Sequence, residues 1–320
     1  MKHQKTFTWA SLFLLLLTTS CGCDQALPTI TDLFAKQDCA PPVLLSSDTV
    51  NPTTFYFQFD EILAPDRCKI LVNQVPTTNF LCTGKSLSLY LDSPLALATY
   101  CTVEARVEDK QGNSTRFTAP LWAKNTHPAG LLINEFTTKG TENNPDRVEL
   151  LVVKSGNLAG LTISDGTGLT YNDRCILPDK KVWQGDYIVI NFQAGNQKAA
   201  YVSQNLGGLG SNNGCLVVTE TPEYNSTVLD AVLYGNLTTT SYEGFGSQSL
   251  KQSADYLVSC GQWNSSSALK SINSTHGTST RSLCRYKAQD TNSSEDWYVA
   301  DTKKATFGTK NTEEHYSSSN

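Results

Sequence analysis

The sequence predicts an all-β protein: two β-sandwiches in tandem behind an export signal. Three observations carry that prediction. Short apolar runs repeat with a period of two and are separated by turns rich in Gly, Pro, Asn and Asp. The chain has 320 residues, 39% hydrophobic and 17% charged, which is too apolar for disorder and too polar for a bundle of membrane helices. Its ten cysteines include no C-x-x-C pair and no His at zinc-finger spacing, so they read as a disulfide set in an oxidising compartment rather than as a metal centre. The length suffices for two domains, each with its own core.

The amino terminus sets the compartment. Lys2, His3 and Lys5 form a basic start, and Phe7 to Leu17 form an apolar stretch too short to span a bilayer. Leu17-Thr18-Thr19-Ser20-Cys21 follows. Small residues before a Cys at that place resemble a bacterial lipobox of the relaxed, spirochaete-like kind. The resemblance implies a signal peptide over residues 1–20 and lipidation of Cys21. The protein would then be exported and held in the cell envelope, on the outer membrane or its periplasmic face, by a lipid anchor. More than one acyl chain makes such anchoring stable. Residues 21–39 are polar and read as a tether.

Residues 40–123 read as a run of strands. In Thr53–Phe59 the three rings of Phe55, Phe57 and Phe59 share one face. Cys68–Val75 reads as the next strand. Ser86–Leu91 alternates, and Thr99–Glu108 sets Cys101, Val103, Ala105 and Val107 on one face. Asp109, Gly112 and Asn113 then make a turn, and Thr115–Trp122 closes a small sandwich. Pro41, Phe57-Gln58-Phe59-Asp60-Glu61 and Val107-Glu108-Asp109-Lys110-Gln111-Gly112-Asn113 resemble a bacterial Ig-like domain of the surface-layer type. That resemblance implies a spacer or interaction role. Asp60, Glu61 and Asp109 could hold Ca²⁺; alternatively Asp109 and Asn113 cap their own turn. Residues 124–130 are a linker broken by Pro128 and Gly130.

Residues 131–311 form the second domain. Leu131–Phe136 and Val148–Val153 are apolar runs that carry Glu135 and Glu149 inside them. Together with Leu158–Asp165, Trp183–Ile190, Asn213–Val218, Val228–Gly235, Ser294–Trp297 and Ala305–Asn311, they resemble a lamin-tail domain in the family's order. This implies a second Ig-like sandwich. Residues 242–290 fit least well and read as a long Ser-, Gly- and Asn-rich loop insertion stapled by a disulfide. Long loops often carry function, so this one is the first candidate for a binding face. Residues 312–320 are a polar tail.

The sequence offers little chemistry. No G-x-S-x-G elbow, P-loop or H-E-x-x-H occurs, and no cofactor motif is present. The net charge of −5 and the lack of basic clusters argue against nucleic acid. No catalytic residue and no metal ligand is assigned. Eight cysteines are disulfide candidates: Cys39, Cys68, Cys82, Cys101, Cys175, Cys215, Cys260 and Cys284. The expected role is therefore a non-catalytic adhesion, scaffolding or partner-binding module for a protein or glycan partner. One rival is a metal-assisted hydrolase, or the accessory subunit of a secreted nuclease or phosphatase, with Glu135, Glu149 and Asp165 as its acidic site. Another is a Ca²⁺-stabilised surface spacer.

Overall fold

Short alternating runs close into paired sheets throughout the chain. The computed structural model describes residues 38–223 and 226–317. The leader, Cys21 and most of the tether lie outside the described residues. The described chain is all-β apart from one helix, and it buries two separate hydrophobic cores.

The first core lies between two four-stranded sheets. Their strands are β1 (Leu44–Asn51), β2 (Thr54–Phe59), β3 (Lys69–Val72), β4 (Val75–Thr77), β5 (Phe80–Thr83), β6 (Ser86–Tyr90), β7 (Tyr100–Glu108) and β8 (Ser114–Trp122). The sheet orders are β1-β2-β6-β5 and β4-β3-β7-β8. Phe55 and Phe57 face Leu89 and Leu87 across the β2–β6 pair, and all four are fully buried. Each such side chain contributes about 1.5–3 kcal/mol through burial. From the other sheet, Cys101, Val103, Ala105 and Val107 of β7 point into the same core. The strand expected over Cys68–Val75 is in fact two strands. Asn73 and Gln74 have φ of 49° and 68° and turn the chain into a tight hairpin.

The second core is larger. Its strands are β9 (Gly130–Phe136), β10 (Arg147–Lys154), β11 (Gly156–Asn157), β12 (Thr162–Asp165), β13 (Asp173–Ile176), β14 (Lys181–Val182), β15 (Tyr187–Asn191), β16 (Tyr201–Val202), β17 (Gly214–Thr219), β18 (Val228–Gly235), β19 (Ile272–Asn273), β20 (Leu283–Arg285) and β21 (Trp297–Val299). A six-stranded sheet, β16-β15-β10-β9-β20-β21, packs on a five-stranded sheet, β13-β12-β17-β18-β19. A short β11–β14 pair stands beside them. Ile133, Leu150 and Ile190 from the first sheet meet Ile163, Val218 and Val232 from the second in one cluster.

The region expected to be a loop insertion, residues 242–290, is built differently. It carries the helix α1 (Gln248–Ser259) and the strands β19 and β20. Ser247 caps the helix by accepting a hydrogen bond from the Leu250 amide. Ala254 and Leu257 reach the core, with Leu250 and Val258 packed against it. Few apolar side chains, diluted by Ser and Gln, suffice because the helix buries only a narrow stripe.

Between the two sheets lies a buried ion pair. Arg285 of β20 donates from Nη2 to both carboxylate oxygens of Asp230 of β18, at 2.9 and 2.8 Å. Both side chains are almost wholly buried. Arg285 Nε donates to the Ile133 carbonyl, and the Ile133 amide donates to Asp230 at 2.6 Å. The other end of the guanidinium reaches Gln289 O and Asp290. Burial pushes Asp230 up to about 6 against the pull of Arg285, which leaves it ionised at neutral pH.

The expected disulfides need correction. Cys68, Cys82, Cys101, Cys175, Cys215, Cys260 and Cys284 are thiols here. The topology explains the second set. Cys175 and Cys215 lie on β13 and β17, which β12 separates. Cys284 belongs to the opposite sheet, and Cys260 caps α1. Cys68 and Cys82 bring their sulfurs to 3.7 Å. That exceeds the roughly 2.05 Å of a disulfide bond.

Two outcomes are expected. Asp230→Asn or Arg285→Met should lower unfolding stability by about 3–5 kcal/mol, because either change strands a buried charge or donor; urea melts measure it. A mild disulfide-forming oxidant should join Cys68 to Cys82 and should leave Cys175 and Cys215 unjoined. A mapped Cys175–Cys215 bridge would contradict the strand order.

Candidate functional site on the outer face of the six-stranded sheet

The two in-strand glutamates lie side by side. Glu149 of β10 pairs with Glu135 of β9, which pairs with Cys284 of β20, which pairs with Tyr298 of β21. These residues form one cross-strand row on the face turned away from the core. A bulge in β9 inserts Asn134 between Ile133 and Glu135. It aims the Asn134 amide at Glu149, 2.7 Å away.

Neither carboxylate faces solvent, because residues 305–311 lie across both. Glu135 accepts from the Thr306 amide at 2.9 Å, from Thr306 Oγ1 at 3.0 Å and from Ser282 Oγ at 2.5 Å. Glu149 accepts from the Gly308 amide. Gly308 has φ of 91°, so glycine is needed for the backbone conformation although a methyl group would meet nothing there. Asn311 fastens the far end, donating to the carbonyls of Asn134 and Arg285 at 3.1 and 3.0 Å. Burial raises both glutamates against these hydrogen bonds, and it takes Glu149 up to about 7.

The third member of the acidic set does not join them. Asp165 lies on β12 in the opposite sheet and accepts from Asn172 at 3.1 Å. Burial pushes it up to about 6. The arrangement expected of a three-carboxylate metal site is therefore not formed by Glu135, Glu149 and Asp165. In the first unit, Asp38, Glu61 and Asp109 bring carboxylate oxygens within 4.8 Å of one another. Asp60 stands apart from that group and accepts from the Val43 amide. Asp109 caps its turn, taking the Gly112 and Asn113 amides at 2.6 and 2.8 Å and the Asn113 side chain at 2.7 Å. Burial acts to raise it, but those bonds outweigh burial and hold it low.

Beside the row of glutamates, the same face opens into a cleft of about 530 Å³. Tyr187, Tyr286, Tyr298 and His315 line it, with Lys310 and Asn311 at its edge. The His315 ring stacks on Tyr298 at 4.2 Å, and Tyr286 lies 4.6 Å from Tyr298 on another side. The region singled out in the sequence as a binding loop contributes Tyr286, Lys287 and Ala288. Sequence alone gives Asp230 and Arg285 no role. The one hint is a single Asp inside the apolar run Val228–Gly235.

The family model TP_1001_2nd, described as "protein second domain", matches residues 129–207 and 202–299. The chain belongs to that family. The match spans every strand from β9 to β21 together with α1, so both sheets of the second core and the Asp230–Arg285 pair fall within it. No curated protein matches the chain. Among solved structures, dimeric latent PorU from Porphyromonas gingivalis is similar at 12% identity and a TM-score of 0.22, over 62% of this chain. The chain spans 20% of that structure's length.

The buried glutamates make a pH prediction. Both hold a proton more tightly folded than unfolded, so the folded state carries the extra proton between about 4.5 and about 7 for Glu149. Stability should therefore fall as pH rises through that window. Glu149→Gln should flatten the fall, read as urea midpoints across the window. A slope identical to that of the parent protein would remove Glu149 as its source.

Proposed function

We propose that this protein is an exported lipoprotein of the cell envelope. In this reading Cys21 carries the lipid, a bacterial Ig-like unit spaces the chain from the membrane, and a lamin-tail-like unit presents a non-catalytic binding surface. Its role is adhesion, scaffolding or capture of a protein or glycan partner. The observation that carries this reading is the fate of the acidic residues. Glu135 and Glu149 were the groups best placed for acid–base or metal chemistry, yet they are occupied by Thr306, Gly308, Ser282 and Asn134. The open cleft beside them is lined by aromatic rings and polar tips, the mixture that suits recognition.

The lipobox-like run Leu17–Cys21 supports the anchor. No helix among the described residues is long and apolar enough to cross a membrane. Cys21→Ala should move the protein from the detergent phase to the aqueous phase in Triton X-114 partitioning. Continued detergent partitioning of that variant would sink the lipoprotein reading.

A further inference from the structure

The segment that covers the two glutamates also builds a second cleft. Its volume is about 400 Å³, within the range of small-ligand sites. Arg147, Lys303, Asn144, Gln197, Ser279 and Phe307 line it. Arg147 opens β10 and lies on the same sheet face as Glu149, two residues further along. Its guanidinium sits over the Phe307 ring, 4.0 Å from the centroid. Among the described residues it makes no ion pair and no side-chain hydrogen bond, and its Nε is closed off from solvent without an acceptor. Glu135 and Glu149 pull on it electrostatically, but neither forms an ion pair with it, their oxygens being bonded to Ser282, Asn134 and the covering segment. A buried guanidinium N–H without an acceptor is costly, and an oxyanion in the cleft would complete it.

The rest of the lining narrows the ligand. Lys303 is exposed and unpaired, and its amide donates to Thr280 O at 2.8 Å, which holds it over the Ser279–Thr280 turn. Its φ of 63° is unusual for a lysine. Gln197 Nε2 donates to Asn144 Oδ1 at 3.0 Å. That bond fixes both amides and leaves the Asn144 Nδ2 and Gln197 Oε1 groups uncommitted to each other. Two cations therefore stand beside hydroxyl and amide groups, with one aromatic ring beneath. Cations suit a carboxylate, and the neutral polar groups suit hydroxyls.

We propose that this cleft binds an acidic sugar, with the Arg147 guanidinium and Lys303 holding its carboxylate and Asn144, Gln197 and Ser279 meeting its hydroxyls. The proposal deepens the binding-module reading by naming a ligand class for the surface. It does not depend on the anchor.

The test is titration calorimetry on the full chain in detergent, with glucuronate, glucose, acetate and a blocked dipeptide with a free carboxylate as probes. Glucuronate should bind best. Lys303→Ala, an exposed change that leaves the core alone, should weaken it by about tenfold, as expected for loss of one charge-assisted contact. Arg147→Met should abolish it, and Arg147→Lys should restore part of it, because the charge returns without the fork. The Cys21→Ala variant should bind as the parent does, so loss of the anchor and loss of the site are read separately. Absence of glucuronate binding would overturn the proposal. So would equal binding of glucose, acetate or the dipeptide, or a titration unchanged in both Lys303→Ala and Arg147→Lys.

Discussion

The second unit depends on one buried ion pair. Asp230 and Arg285 come from opposite sheets and meet in the layer between them. Two full charges in that layer are tolerable only because every contact is made: Nη2 on both Asp230 oxygens, the Ile133 carbonyl on Nε and the Ile133 amide on Asp230. Such a pair adds little net stability over a well-packed apolar substitute. Its effect is on geometry. β9, β18 and β20 are fixed in mutual register at one point, and a shifted strand would leave a bare charge in the core.

That register governs the outer face. With β20 held by Arg285, Cys284 falls opposite Glu135 and Ser282 comes within reach of its carboxylate. The bulge at Asn134 then brings the Asn134 amide to Glu149. Thr306 and Gly308 supply the remaining donors, and Asn311 ties their segment to the backbone of Asn134 and Arg285. The core charge pair and the covered carboxylates of the outer face thus belong to one hydrogen-bonded system that spans the sheet. The clefts on either side of the covering segment take their shape from it.

Much of the fold is legible in the sequence because it is written in local period. Phe55, Phe57 and Phe59, the alternation from Cys101 to Val107, and the runs at Leu131 and Val148 each announce a strand and its inner face. The Asp109–Asn113 turn is equally local. Helix α1 escapes this reading because Leu250, Ala254 and Leu257 are thinly spaced among polar residues. The Asp230–Arg285 pair escapes it for another reason: its partners are 55 residues apart, and no periodicity records which strands face each other. Compartment and even number point the cysteines toward disulfides, but strand order keeps Cys175, Cys215 and Cys284 on separate elements. The candidate site was half visible. Glu135 and Glu149 stand out as acids in apolar runs, whereas the segment that satisfies them lies far along the chain.

That distance matters for how the unit assembles. Thr306 and Glu135 are 171 residues apart, and Gly308 and Glu149 are 159 apart. Until those contacts close, Glu135 and Glu149 face water with only Ser282 and Asn134 as donors, and the bonds from Thr306 and Gly308 are still missing from the central strand pair. Loop closure over such separations is slow relative to hairpin formation. The covering segment thus acts as a final latch: the strands at the start of the unit reach their full stability only after the chain beyond β21 has folded back onto them.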